Sequence, residues 1–205
     1  MFATNYLSNP KKGLFMKRSM FVLFSLVLFT TVHAGVMDGP ANPYLHKGDI
    51  IVGGKLALVG VYGAGAGFIL NGEYGFKEGF LSIPNFPTSL GLGGSIGYSG
   101  YSEDYGAWGK YSYTNFLILV TGYYHVQLIK NAPIDTYAML NVGVNIATAS
   151  YDGSLNGAPD VSNSDGGFTI GSGIGARYYF TNRLAAVGEV GFGMGVIRIG
   201  LDFKI

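Results

Sequence analysis

The 205-residue chain has no cysteine, which excludes a disulfide framework, a thiol nucleophile and any Cys-ligated metal. Charge is also scarce, at 12% of residues against about a quarter in ordinary soluble domains. Beyond the first 34 residues no apolar run reaches the ~20 that a membrane-crossing helix needs. What the chain has instead is glycine, at 34 residues, with 15 tyrosines and 14 phenylalanines. The glycines follow no three-residue period, so a collagen helix is excluded. The aromatic and β-branched content excludes disorder. A β-protein of one domain remains.

The one long apolar run lies near the start. Lys17 and Arg18 precede Met20–Val32, and Val32-His33-Ala34 follows. A basic start, a short apolar core and small residues before a cleavage point describe a secretory signal peptide cut after Ala34. Residues 1–15 fit no part of such a signal, whereas Met16 begins a conventional one, so Met1 and Met16 both stand as the start. The predicted organisation is an upstream extension and signal over 1–34, a short periplasmic segment over 35–46, and a barrel over 47–205. Removing 1–34 takes away Lys11, Lys12, Lys17 and Arg18, so the 13 basic residues fall to 9 against 12 acids. The resulting net charge of −3 argues against a nucleic-acid partner.

From Gly48 onward polar and apolar residues alternate with period two, interrupted by Gly, Asn, Asp and Pro clusters. The pattern predicts eight strands, near 48–62, 66–77, 88–101, 111–129, 135–149, 167–180, 184–192 and 195–204. Such lengths suit tilted transmembrane strands better than soluble sheets. In the last strand Ile197, Ile199, Leu201, Phe203 and Ile205 oppose Arg198, Gly200, Asp202 and Lys204. In the fifth, Leu140, Val142, Val144 and Ile146 oppose Asn141, Gly143 and Asn145. The polar face is made of Gly, Asn, Thr and Ser with single charges, too few for a surface in water. It suits a narrow lumen, and the apolar face suits lipid. The predicted fold is therefore an all-β, eight-stranded antiparallel up-and-down transmembrane barrel, which leaves no backbone group unpaired in lipid.

Turn positions predict ion pairs inside it. A two-residue type II′ turn at Gly193-Met194 places Glu189 opposite Arg198. A hairpin centred on Ala64 places Lys55 opposite Glu73. A link through Thr181-Asn182-Arg183 places Arg177 opposite Val187 and diagonal to Glu189. Facing lipid, each of Lys55, Arg177 and Arg198 would cost roughly 2–4 kcal/mol. Facing inward, the five charges become lumen ion pairs, joined by the polar residues Asn141, Asn145, His125 and Gln127.

These features together resemble the OmpA/OmpX-type small outer-membrane barrels, over residues 47–205. The resemblance rests on architecture and implies an outer-membrane location, outer-membrane lipid as surroundings and assembly by the outer-membrane machinery. No peptidoglycan-binding domain follows the strands, so no envelope tether is implied. The chain ends Asp202-Phe203-Lys204-Ile205 where the family usually ends on an aromatic, and Phe203 has the matching parity. Residues 78–87, with Pro84 and Pro87, make a turn longer than the family's periplasmic turns.

Candidate chemistry is sparse, and no cofactor or metal is expected. His125 is the one histidine within a predicted strand, and no serine follows it in the manner of outer-membrane acylases. It is expected to hydrogen-bond Gln127 or a tyrosine. Asp152–Gly157 echoes the start of a calcium loop but has Asn163, not glutamate, at its twelfth position. Tyr101, Tyr105, Trp108, Tyr111 and Tyr113 surround one hairpin loop, where they are expected to form an interfacial aromatic girdle or to contact a glycan or receptor. The expected function is structural, with loops 102–110 and 150–166 displayed to a surface ligand. Its rivals are a narrow channel for small solutes and a lipid-modifying enzyme.

Overall fold

A computed structural model describes residues 44–58, 66–106, 109–129, 132–152 and 161–205. Eight strands follow one another: β1 Ile50–Leu58, β2 Ala66–Glu78, β3 Thr88–Asp104, β4 Lys110–Val126, β5 Ile134–Asp152, β6 Val161–Tyr179, β7 Leu184–Phe192 and β8 Ile197–Lys204. Each pairs antiparallel with the next, and β1 pairs with β8 to close the ring. Closure has a definite stagger. Partners followed round from Arg177 run through Val187, Gly200, Lys55, Ile69, Gly97, Leu117 and Asn145 and re-enter β6 at Gly167, ten residues away (177 against 167). Strands in such closed sheets tilt by about 35–45°, and side chains suffice to fill an eight-stranded interior.

The two faces separate as the period-two pattern requires. Ile118, Val120, Leu140, Ile170, Ile174 and Val190 are exposed on the outside, whereas Lys55, Glu73, Arg177, Glu189 and Arg198 are buried. At the end where β1 begins and β8 ends, Leu45 is buried, 1% exposed. Its segment is tied down by Tyr44 Oη donating to the Thr88 carbonyl (2.8 Å) and Lys204 Nζ donating to the Tyr44 carbonyl (2.9 Å). Of the expected 35–46 segment, only residues 44–46 fall within the described residues.

Several expected limits shift. β4 stops at Val126 rather than 129: the Gln127 amide still donates in register to the Pro87 carbonyl (3.0 Å), but Pro87 has no N–H to return the bond. The β7–β8 connection is wider than a two-residue turn: 193–196 link the strands, with Gly193 and Gly195 at φ 94° and 107°. Such angles strain any residue with a Cβ. The largest shift concerns the expected loops. β5 and β6 stay paired as far as Tyr151↔Val161, and β3 and β4 as far as Asp104↔Lys110. Residues 102–104 and 110 of the first expected loop, and 150–152 and 161–166 of the second, are therefore sheet. The polar residues there keep the ladder because pairing uses backbone groups and needs no apolar side chain. The 153–160 stretch, with most of the calcium-like segment, and Trp108 lie outside the described residues.

β6 also outreaches its neighbour: β7 pairing ends at Ser172↔Phe192, leaving residues 161–171 of β6 beyond it. Among the described residues β2 pairs with β3 as far as Ala66↔Gly100, with Tyr101–Asp104 further along β3; 59–65 lie outside the described residues. At the end where β7 turns into β8, β3–β6 thus rise among the described residues as a wall above a complete ring.

Candidate functional site

Charge inside the ring is organised around Arg177. It starts on β6, and its Nη2 reaches Glu73 Oε2 on β2 at 2.6 Å, four strands away and so across the whole interior. Its Nε holds Asp202 Oδ2 at 2.6 Å, and Nη1 lies 3.2 Å from Asp135 Oδ2. The guanidinium lies over the Tyr137 ring, 4.5 Å from its centroid. His125 closes the group, with Nδ1 2.9 Å from Asp135 Oδ1 and Nε2 2.6 Å from Glu73 Oε1. A ring nitrogen serves an ionised carboxylate only by donating, so this geometry is that of an imidazolium.

A second group centres on Glu189. Its Oε2 accepts from Arg198 Nε (2.7 Å), and its Oε1 accepts from Lys55 Nζ (2.5 Å) and Tyr137 Oη (2.6 Å). Tyr137 therefore joins the two groups. Together they hold Lys55, Arg177 and Arg198 against Glu73, Asp135, Glu189 and Asp202. Three fixed cations face four carboxylates, and the His125 imidazolium balances the sum. Such buried charge persists only when paired and hydrogen-bonded throughout.

The expected partners changed accordingly. Glu189 does sit opposite Arg198, and Arg177 opposite Val187. Lys55 faces Ile69 rather than Glu73, which faces Ile51. The four-residue slip preserves face parity, so both charges remain inside but find other partners across the lumen. Arg177 is held by Glu73, Asp135 and Asp202, not by Glu189. His125 bonds carboxylates rather than Gln127, which lies past the end of β4. Asp135, Tyr123 and Tyr137 were not anticipated as partners. The odd numbering they share with His125 and Asn141 was the available signal.

Further up, small polar side chains and apolar ones share the interior. Thr121 donates to Asn141 (2.8 Å), and Asn145 donates to Asn115 (3.3 Å). Ala57, Ile69, Leu117, Leu119 and Met194 form a buried apolar cluster. The side chains of Asn71, Ser95 and Ser99 are buried without a protein partner, and such atoms ordinarily hold ordered water.

In the wall the polarity of the faces reverses. On the outer face Phe116, Ile146 and Phe168 give way to Thr114 and Ser112, Thr148 and Ser150, and Ser164 and Ser162 along β4, β5 and β6. On the inner face, the odd-numbered one, Tyr101, Tyr111, Tyr113 and Tyr151 continue the lumen side. Tyr111 and Tyr151 rings lie 4.6 Å apart, and the Tyr101 and Tyr105 hydroxyls both donate to Glu103. That bond holds the Tyr105 phenol above its usual pKa. Tyr101, Tyr111 and Tyr113 were expected in an interfacial aromatic girdle. Side-chain alternation puts them on the opposite face from Tyr98, Phe116 and Phe168.

No family model matches the sequence, and no curated protein matches it. Among solved structures, the chain is similar to a major outer membrane protein from Thermus thermophilus, with TM-score 0.57 and 14% identity over 78% of this chain and 100% of that one. Ail, the attachment invasion locus protein of Yersinia pestis, in complex with the heparin analogue sucrose octasulfate, gives TM-score 0.49 and 13% identity over 78% and 99%. The N-terminal β-barrel domain of Pseudomonas aeruginosa OprF gives 0.40 and 15% over 77% and 96%. The fold is that of a small outer-membrane β-barrel.

What this outer-membrane-type barrel can do chemically follows from its contacts. Nucleophile activation needs a base within hydrogen-bond reach of the attacking hydroxyl. Ser89 lies opposite His125 in the sheet, yet its hydroxyl has no partner, and both histidine nitrogens are committed to carboxylates. The same contacts obstruct the axis, since Arg177 spans it with each guanidinium nitrogen engaged.

Proposed function

We propose that the chain is an integral protein of the bacterial outer membrane, exported by a signal peptide over 1–34, that acts as a rigid anchor for a projecting wall of β3–β6. The membrane ring contributes stability and the wall contributes a surface. In this reading both termini face the periplasm, the assembly machinery inserts the barrel, and the wall stands outside the cell. The observation that carries the reading is the reversal of face polarity along β3–β6. Apolar groups face outward only as far as Phe116, Ile146 and Phe168, and hydroxyl-bearing residues take over beyond. A lipid boundary at that level accounts for both halves of the pattern.

The test is fractionation with heat-modifiable gel migration. A folded species in the outer-membrane fraction is expected; recovery of the mature chain in soluble periplasm rejects the reading. Planar-bilayer recordings should show no large, stable, nonselective channel.

The buried, unpartnered side chains of Asn71, Ser95 and Ser99 favour a second reading, a narrow water-bearing path gated by the ion pairs. Glu189→Gln and Arg198→Ala should then raise conductance, and unchanged conductance rejects the gate. A lipid-modifying role predicts altered lipopolysaccharide acyl chains after His125→Ala, and an unaltered profile rejects it.

A further inference from the structure

The inner face of the wall continues the lumen side of the sheet, yet it is lined with rings that the lumen itself does not require. Tyr111 and Tyr113 are 40% and 44% exposed. Their strands have polar outer faces at this level, so the aromatic surface is not turned toward lipid. It also carries charge of one sign. Among the described residues of 99–115 and 147–167, its odd-numbered positions carry Glu103 and Asp165 and no cation, a net of −2.

We propose that this inner face docks a cationic peptide segment, with Tyr101, Tyr111, Tyr113 and Tyr151 stacking on Arg or Lys side chains and Glu103 and Asp165 pairing with their charges. The inference rests on the reading above that the wall stands outside the membrane.

Four observations select this occupant. Tyrosine faces attract cations, arginine most often. The Tyr101 and Tyr105 hydroxyls donate to Glu103, which pushes electron density into those rings and strengthens that attraction. Glu103 keeps acceptor sites for a further donor, because an ionised carboxylate offers about four. Spacing then separates a peptide from a small cation. Glu103 is level with Val161 through Tyr111 and Tyr151, so Asp165 lies three strands across and four residues along, on the order of 20 Å at ~4.8 Å per strand and ~3.3 Å per residue. One small cation cannot serve both, whereas an extended peptide places residues i and i+6 about 20 Å apart. A second copy of this chain would bring the same negative charge, and a polyanion would be repelled.

The experiment uses the folded mature barrel in uncharged detergent, prepared from the outer-membrane fraction. It is titrated by calorimetry with a decapeptide of alternating arginine and serine. The controls are the matching glutamate–serine peptide and the neutral glycan maltoheptaose. The arginine peptide should bind, more weakly as salt rises. Tyr111→Ser, Tyr113→Ser, Glu103→Gln and Asp165→Asn should each weaken it by about two- to fivefold, the range of exposed cation–π and ion-pair contacts. The carboxylate variants carry the test alone if the tyrosine variants do not fold. Unchanged binding in the folded variants overturns the proposal, as does equal binding of the glutamate peptide or of maltoheptaose. Absence of the protein from the outer-membrane fraction would instead overturn the membrane reading, so the two failures are told apart before the titration.

Discussion

The wall is made of four of the ring's own eight strands, yet ring and wall obey opposite rules. Within the ring, Ile118 and Val142 face outward and Thr121 and Asn141 face inward. One wall height further along the same strands, Ser112 and Ser150 face outward and Tyr113 and Ala149 face inward. Strand alternation is unbroken between the two, so the backbone does not cause the change. The difference lies in what each face meets. In lipid the apolar groups go outside and charges close on themselves, while in water an outer face needs hydroxyls. It follows that the ring's charged groups are fixed by a requirement for mutual neutralisation, which the wall's Glu103 and Asp165, facing no cation on their own side, do not meet.

Removing the centre of that neutralisation should break the comparison most severely. Arg177→Met leaves Glu73, Asp135 and Asp202 buried without their shared cation, a loss of about 3–5 kcal/mol that urea unfolding in micelles would register. An unchanged midpoint would mean that the interior is wet enough to solvate the three carboxylates. Next in size is a pair of substitutions on one face of β4. Ile118→Arg should cost about 2–4 kcal/mol at lipid depth, whereas Ser112→Arg should stay within about 0.5 kcal/mol, as surface changes do. Equal effects would erase the boundary drawn between them.

A smaller effect is expected at Gly175, where an added Cβ would meet the Tyr137 ring at 2.6 Å. Gly175→Ala should therefore displace the tyrosine that links the two charge groups, at about 1–3 kcal/mol in the same urea unfolding. The smallest effect belongs to the wall. Tyr105 donates to Glu103, which holds its phenol above the usual value. Glu103→Gln should lower the Tyr105 titration in nuclear magnetic resonance spectra while leaving the unfolding midpoint where it was.

Short connections made part of the site readable in advance. Glu189 faces Arg198, and Arg177 faces Val187, because 193–196 and 180–183 leave few ways to pair the flanking strands. The first hairpin offered no such restraint. Its Gly- and Ala-rich run marks no single apex, and Lys55 came to face Ile69. Parity survived that slip, since four residues is an even number. Partners across the lumen were out of reach for a different reason. Arg177 and Glu73 lie on opposite strands of the ring, and no turn relates them. The length of β6 was missed because Ser, Asn and Gly at 162–167 carry turn chemistry, while the ladder with β5 continues through backbone groups regardless.

The order of residues along the chain determined that eight amphipathic strands would form and which face each side chain would take, because alternation is a property of an extended backbone and holds whatever the neighbours are. Only the closed, staggered ring decided which charge meets which, how His125 is held, and where the outward surface passes from apolar to hydroxyl-bearing. Those outcomes depend on distances between strands far apart in sequence, and closure alone brings them together.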